Sequence, residues 1–258
     1  MHACPDSLSK IPPLVAPPAL TRFGARRYNA WNDEVRRRYG GRVQKVLVAA
    51  GFTCPLSHPR ISGLAIGTRP DCLPDAVLDH LAGLARTHII ELEVGVESCD
   101  DAALQRVNRG HDFACSADAI HRAAQCGLAV TAHLILGLPG ESRTSMLEGA
   151  AQLSALPVRA LKLHQLQLVR GTAMARDWQR DPASVPLLEE EAYIELLADF
   201  VERLSPQILL QRLGSEVPPS LKLAPQWNMR LSALAPRLTA ELARRGSWQG
   251  ARFAAARA

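Results

Sequence analysis

The sequence has no pair of cysteines spaced as CxxC, no long apolar run and no secretory signal pattern. Its apolar stretches fall short of the roughly 18 residues that cross a bilayer, so neither a membrane-spanning helix nor a membrane partner is expected. The first twenty residues lack a charged start followed by a long apolar segment, which predicts no signal peptide. The six scattered cysteines are therefore expected to be reduced thiols, and this favours a cytoplasmic location.

Charge is distributed unevenly along the 258 residues, whose formal net charge is +5. Residues 1–45 carry nine Lys and Arg against three Asp and Glu, and residues 204–258 carry eight against two. Residues 46–203 carry thirteen against twenty, so both ends are basic and the middle is acidic. Basic ends can contact nucleic acid phosphates, which makes RNA a candidate partner. The alternative is that these arginines lie on solvated faces and bind nothing.

Strand-like apolar runs alternate with helical patterns through most of the chain. The stretch Ala129–Glu141 (AVTAHLILGLPGE) begins as a buried strand, stops on glycines and leads into a helix. Similar strands are predicted at Ile61–Thr68, Ile89–Glu97 and Leu161–Val169, each followed by polar residues or glycine. This alternation predicts a parallel sheet with helices outside it and a functional rim at the carboxyl ends of the strands.

The remaining elements are predicted from periodicity and capping residues. Helix Ser116–Cys126 is expected to be capped by Ser116, and helix Ser142–Ala155 by Ser142. The other expected helices are Tyr28–Tyr39, Pro74–Arg86, Asp100–Val107, Leu187–Leu204 and 231–245, and the other expected strands are Val43–Phe52 and Ile208–Leu213.

The connection after the first predicted strand is unusually short. Only eight residues, 53–60, separate Val43–Phe52 from Ile61, and five of them, LSHPR, follow Pro55. Parallel neighbours need a crossover of about a dozen residues or more. Either these two strands are not adjacent and parallel, or a segment usual in such folds is missing between them.

Six motifs in order carry a resemblance to radical SAM proteins, most closely to their YhcC-like group, which is similar to the Elp3-type tRNA-modifying enzymes. The resemblance spans about Tyr28 to about Gly246. Any one motif is a weak signal, whereas six in order are a strong one. The motifs are GFTCP (51–55), GLAIGTRPDCLPD (63–75), ELEVGVES (91–98), NRGHD (108–112), HLILGLPGE (133–141) and LKLHQLQLVRGT (161–172).

The resemblance implies a partial (β/α)6 TIM-like barrel, a [4Fe–4S] cluster and S-adenosylmethionine (SAM), from which the family generates a 5′-deoxyadenosyl radical. Three thiolates hold such a cluster because iron in iron–sulfur clusters takes soft ligands. By the same resemblance, Cys54 matches the first cluster cysteine. The residues matching the cofactor-binding segments are Glu93 and Glu97 on one strand, and Gly137, Gly140 and Glu141 after the next.

The departure from the family pattern falls at the short connection. The loop that carries the second and third cluster cysteines, together with one whole β/α unit, is absent between Cys54-Pro55 and Ile61. The chain is therefore expected to be unable to hold the standard cluster. A rebuilt site made of Cys54, Cys72 and Cys99 is geometrically conceivable. The predicted organisation is a disordered leader at 1–27, an incomplete barrel at 28–213 and a basic extension at 214–258.

Several polar residues within these motifs admit two interpretations. His133 and His164 are either hydrogen-bonded core histidines or walls of a substrate cavity, and Lys162 shares a strand face with His164. Gln165 and Gln167 share the opposite face. Arg69 and Asp71 form either a structural ion pair or a contact at the rim. The segment Asn108–His111 has no assigned chemical role.

Three hypotheses follow for function. The chain is a SAM-dependent radical enzyme that acts on a substrate such as RNA, or a relative without a cluster that only binds RNA, a nucleotide or a protein. In the third, the deletion leaves the product of a decaying gene with exposed strand edges. Cofactor loading separates the first two hypotheses, and cooperative unfolding separates the last two.

Overall fold

A computed structural model of the protein describes residues 42–46 and 61–253, which form an α/β fold around one large parallel sheet. The strands are β1 (Arg42–Val46), β2 (Ile61–Thr68), β3 (Ile89–Glu97), β4 (Ala129–Leu136), β5 (Ala160–Gln165), β6 (Leu168–Val169), β7 (Leu209–Arg212) and β8 (Lys222–Ala224). The helices are α1 (Asp75–Ala85), α2 (Asp101–Arg106), α3 (Phe113–Gln125), α4 (Arg143–Ser154), α5 (Ala173–Arg180), α6 (Glu190–Arg203) and α7 (Leu234–Arg244). The predicted α/β class is confirmed.

Six strands form the main sheet in the order β1-β2-β3-β4-β5-β7, and every neighbouring pair is parallel. The spatial order follows the chain order, as expected when successive β/α units wind in one direction. Because β1 pairs directly with β2, the two strands are adjacent and parallel. A missing segment between them is the alternative that remains, and it stays a prediction.

Several sequence expectations concern residues outside those described. These are the leader 1–27, the helix Tyr28–Tyr39, the second half of the first predicted strand, and Cys54 with the connection around it. The predicted division into leader, barrel and extension likewise stays a prediction.

One face of the sheet is apolar and is covered by helices. Leu92, Val94 and Val96 of β3 are fully buried and share a core with Tyr193 and Phe200 of α6. The predicted bounds Ile89–Glu97 of β3 are confirmed, and the strand that begins the stretch Ala129–Glu141 ends at Leu136, before the glycines, as predicted. None of the described helices has the length and apolar character needed to cross a bilayer.

The C-terminal helix α7 packs into the same core through Leu234, Leu238 and Leu242. It begins after a short 3-10 turn, Leu231–Ala233, inside the predicted helix 231–245. Arginines of this region form ion pairs with carboxylates of α6 and with Glu241. The pairs are Arg237 with Glu190 and Glu191, Arg244 with Glu241, Arg245 with Glu241, Asp199 and Glu202, and Arg252 with Glu202.

Two local predictions were wrong. Helix α3 begins one turn earlier than expected because Asp112, not Ser116, is its cap, and the Asp112 carboxylate accepts a hydrogen bond from the Cys115 N–H at 2.8 Å. Ser116 is buried within the helix. The predicted strand Leu161–Val169 is broken after Gln165, and its end, β6, pairs antiparallel with β8. At the break, the Gln165 side chain donates to the Ser215 carbonyl oxygen and accepts from the Ser215 N–H, and the Gln167 side chain accepts from the Val217 N–H.

Candidate functional site

Glu97 ends β3 in an unusual backbone conformation. Its φ is 68°, in the left-handed region, and the pairing of β3 with β4 is irregular between Gly95 and Glu97. A bulge of this kind redirects the side chain at the end of a strand. Arg109 donates a hydrogen bond from Nη2 to the Gly95 carbonyl oxygen at 3.0 Å. The same nitrogen lies 3.1 Å from Glu97 Oε1.

The Glu97 side chain is mostly buried, and 21% of it is exposed to solvent. Burial raises the pKa of Glu97, because desolvation disfavours its charged form. The positive charge of Arg109 is the main opposing influence on this pKa, followed by His133 and His111. The charge of Arg109 therefore offsets part of the free-energy cost of holding the Glu97 carboxylate away from water.

Glu141 lies at the same rim but uses its carboxylate within the protein. It accepts hydrogen bonds from the Ser98 hydroxyl, at the end of β3, and from the Leu138 N–H at 3.0 Å. The intervening turn relies on Gly137 and Gly140, whose φ values of 89° and 96° favour glycine. Glu141 thus ties the loop after β4 to the end of β3 and brings this backbone to the rim beside Glu97.

Replacing Glu141 with Leu is expected to lower the free energy of unfolding by about 1–3 kcal/mol, because it leaves the buried Ser98 hydroxyl and the Leu138 N–H without an acceptor. Urea unfolding of the full chain measures the change. Glu148→Leu is the matched control, because Glu148 is an exposed residue of α4. Equal stability of the two variants would show that the hydrogen bonds accepted by Glu141 contribute nothing to the free energy of unfolding.

The polar face of the sheet carries a second cluster, centred on Glu93. Its carboxylate lies 2.7 Å from Lys162 Nζ and 2.9 Å from His133 Nε2. The His133 ring stacks on that of His164 with the centroids 5.3 Å apart. Glu93 therefore lies within the sheet, next to these side chains. Both histidines lie on this polar face, and His133 is also hydrogen-bonded. A hydrogen-bonded core histidine and a wall of a substrate cavity are therefore compatible roles for His133.

One oxygen of a neighbouring carboxylate on the same face, that of Glu91, is also hydrogen-bonded within the protein. Glu91 accepts hydrogen bonds from Thr131 at 2.5 Å and from Gln211 of β7 at 2.9 Å. Next to Glu93 in the register of β2 and β3 lies Gly67, where an added Cβ would meet no atom of the described residues within 4 Å. This face therefore carries several buried polar side chains around Glu93.

The segment Asn108–His111 lies at the ends of β2 and β3. Arg69 and Asp71 form a two-point ion pair at 2.8 and 2.6 Å, and Arg69 holds the pKa of Asp71 below its usual value. A Cβ on Gly110 would lie 3.1 Å from Arg69 Nη2, so this glycine allows the close approach. Sequence reasoning assigned no role to the segment, since only the fold brings Arg109 to Glu97.

The structure describes two of the three cysteines of the conceivable rebuilt cluster, Cys72 and Cys99, and Cys54 lies outside the described residues. The Cys99 thiol lies against α4, with Sγ 3.9 Å from the Gly149 carbonyl oxygen, and burial raises its pKa far above the usual range. A cluster ligand must be a thiolate, which this environment disfavours. Cys72 is exposed on the turn after β2. Within residues 42–46 and 61–253, no three Cys, His, Asp or Glu side chains gather as a metal site.

Two family models together match most of the chain. Residues 30–152 match the radical SAM superfamily, and residues 158–244 match the radical SAM C-terminal domain. An uncharacterised protein of Methanocaldococcus jannaschii, MJ0486, is 40% identical over 77% of this chain and 62% of its own length. Protein YhcC of Escherichia coli K12 is 37% identical over 67% of this chain and 55% of its own length.

More distant relatives include a tRNA uridine(34) acetyltransferase of Dehalococcoides mccartyi, 28% identical over 62% of this chain and 34% of its own length. The chain thus spans only about a third to three fifths of the length of these relatives. Among solved structures, the archaeal Elp3 of Methanocaldococcus infernus superposes with a TM-score of 0.64. It has 21% sequence identity and covers 74% of this chain and 43% of its own. The predicted partial barrel agrees with this likeness of fold.

Proposed function

This chain belongs to the radical SAM superfamily, in its YhcC-like and Elp3-related branch, and we propose that it retains the adenosyl-binding rim of that family without the ligands of the standard cluster. The family implies a [4Fe–4S] cluster and SAM as cofactors. The family's radical chemistry requires the cluster. The proposed activity is therefore binding of an adenosyl ligand, not its reductive cleavage.

The observation that carries the binding role is the Glu97 carboxylate at the rim. It is charge-compensated by Arg109 and receives no hydrogen bond from the described residues, so its oxygens are available to a ligand. Carboxylates accept hydrogen bonds from the ribose hydroxyls of nucleotide ligands in other α/β proteins. Gly137 and Gly140 hold the neighbouring turn, where backbone can approach such a ligand.

The donor set argues against the standard cluster. Of the three family positions, the sequence retains only Cys54, and Cys99 is turned toward α4. The four described cysteines are free thiols, which supports a reducing, cytoplasmic setting as part of this proposal.

Anaerobic reconstitution with iron and sulfide tests the cluster. The full chain is expected to bind far fewer than about four irons per chain, the content of a [4Fe–4S] cluster. It should also form no 5′-deoxyadenosine with dithionite and SAM. Close to four irons, lost on Cys54→Ala, would contradict the cluster deficiency.

Equilibrium dialysis with SAM tests the binding. Glu97→Ala is expected to weaken binding by about 10- to 100-fold, the effect of losing a hydrogen bond to a charged group. Glu148→Ala, on an exposed face of α4, should leave affinity unchanged. SAM binding that is absent in the wild type, or equal in both variants, would overturn this function.

RNA is a second candidate ligand, favoured by the basic ends of the chain and by the relative named as a tRNA uridine(34) acetyltransferase. The proposal is that those ends contact phosphates. Filter binding of bulk tRNA over a salt series tests it, and affinity that does not fall as salt rises would exclude contact through phosphates.

A further inference from the structure

A cleft opens at the edge of the main sheet, between the end of β7 and the first turn of α7. Its volume is about 590 Å³, which falls within the range of pockets that bind small molecules. Strands β4 and β5 lie between β7 and β3, so this cleft is separate from the rim that carries Glu97. The adenosyl-binding function proposed above makes no use of it.

The polar groups that line the cleft are one guanidinium, two hydroxyls and one carboxylate. Arg212, the last residue of β7, is half-buried, and its guanidinium forms no ion pair or hydrogen bond with the residues that the structure describes. Among those same residues, the hydroxyls of Ser215 and Ser232 also have no hydrogen-bond partner. Guanidinium and hydroxyl donors favour a carboxylate or phosphate group. The Glu216 carboxylate is exposed, so water and salt screen its repulsion of an anion.

The other walls of the cleft are apolar. They are formed by the 3-10 turn Leu231–Ala233, by the first turn of α7 and by the residue after β7. Hydrocarbon packed against these walls would be removed from water, which favours binding. An arginine beside apolar walls therefore suits a ligand that is anionic at one end and hydrocarbon at the other. The apolar lining residues are Leu213, Leu231, Leu234, Ala235 and Pro236.

Buried side chains hold the loop that follows β7. Gln165 of β5 donates from Nε2 to the Ser215 carbonyl oxygen at 2.8 Å and accepts from the Ser215 N–H at 3.0 Å. The fully buried Tyr193 donates from its hydroxyl to the Leu213 carbonyl oxygen at 2.7 Å. An added Cβ on Gly214 would lie 2.5 Å from a side-chain atom of α7, so loop and helix are in close contact. This wall is formed before any ligand binds, which lowers the entropic cost of binding.

We propose that this cleft binds a small amphipathic anion. Arg212 binds its carboxylate or phosphate group, and the first turn of α7 packs against its hydrocarbon part. Gln165 acts through the loop that it holds, which gives a role to the strand face opposite Lys162 and His164. The cleft shares no residue with the adenosyl-binding rim, so the two functions can be tested separately.

Ligand-observed NMR titration of the full chain tests the site with matched probes. Isocaproate and isopentyl phosphate carry an anionic group on a branched hydrocarbon, isopentanol lacks the charge, and inorganic phosphate lacks the hydrocarbon. One or both amphipathic anions should bind at least about tenfold more tightly than isopentanol and inorganic phosphate. Tighter binding of isocaproate would identify a carboxylate as the preferred group, and tighter binding of isopentyl phosphate a phosphate ester.

Arg212→Met should weaken binding of the amphipathic anion by about 10- to 100-fold, the effect of losing a hydrogen bond to a charged group, and leave isopentanol binding unchanged. Arg230→Met is the matched control, because it removes the same charge from an exposed position outside the lining of the cleft. Its anion affinity should equal that of the wild type. Glu216→Gln should strengthen anion binding by less than about fivefold, since an exposed like charge repels only weakly.

Two results would overturn the site: isopentanol binding as tight as that of both anions, or equal anion affinities in Arg212→Met and Arg230→Met. Failure of every probe to bind the wild type would overturn it as well. If Arg212→Met does not fold, Arg212→Lys and Ala235→Trp decide. The lysine keeps the charge but loses the planar fork, so only anion affinity should fall, whereas the tryptophan fills the apolar wall and should weaken every probe. Unchanged anion affinity in both would contradict the proposal.

Discussion

Replacing Glu93 with Gln is expected to lower the free energy of unfolding by about 3–5 kcal/mol, the usual cost of removing one partner of a buried ion pair. Only 3% of the Glu93 side chain and 11% of the Lys162 side chain are exposed. The variant removes the counter-charge that lies 2.7 Å from the Lys162 ammonium, and the site cannot rehydrate that ammonium fully. Urea unfolding of the full chain at neutral pH measures the loss.

The double variant Glu93→Gln/Lys162→Met provides the matched control. It removes both charges, so it should recover much of the stability that Glu93→Gln loses. An exposed ion pair serves as the reference for a contact that contributes little to the free energy of unfolding. Asp177→Asn breaks the exposed pair between Asp177 and Arg180 and should cost less than about 1 kcal/mol. Equal losses in Glu93→Gln and Asp177→Asn would show that the buried cluster is not a stabilising element.

Gly63→Ala is expected to destabilise the fold by about 3 kcal/mol, because the new Cβ would meet the backbone of the neighbouring strand. Gly63 pairs with Ile89, and an ideal Cβ at this position would lie 2.3 Å from the Ile89 carbonyl oxygen. Backbone cannot move aside as a flexible side chain can, so β2 and β3 would have to separate. Thermal or urea unfolding would reveal the loss.

Gly67→Ala is the control, since Gly67 lies four residues further along the same strand and an added Cβ would meet no described residue within 4 Å. Its stability should match or slightly exceed that of the wild type, because alanine restricts the unfolded chain. A Gly63→Ala variant as stable as Gly67→Ala would contradict the predicted close approach of β2 and β3.

The sequence predicted best where one local signal decides the structure. Strands β3 and β4 have the predicted bounds, because each is a short β-forming segment that is buried along its length and ends at polar or glycine residues. Ser142 caps α4 as predicted, with Ser145 completing the cap. The glycine turn of Gly137 and Gly140 was likewise recognisable, since both residues adopt conformations that favour glycine.

Prediction failed where contacts distant in sequence decide the outcome. Ser116 and Asp112 are both plausible caps, and only the helix itself shows that Asp112 binds the Cys115 N–H. The strand predicted to end at Val169 stops at Gln165. There the side chains of Gln165 and Gln167 form hydrogen bonds with backbone groups 50 positions further along the sequence. The link between Arg109 and Glu97 also depends on the fold, because nothing local indicates that a residue of a polar loop faces the strand end.

The arginines paired with carboxylates near the C-terminus change how this end of the molecule would meet a polyanion. Arg237, Arg244, Arg245 and Arg252 each lie beside a carboxylate, whereas Arg212, Lys222 and Arg230 form no ion pair within the described residues. An arginine that neutralises a carboxylate must give up that partner before it can displace a cation from a phosphate. The salt dependence of polyanion binding by residues 204–253 should therefore correspond to about three released counterions, fewer than the formal charge of that stretch suggests.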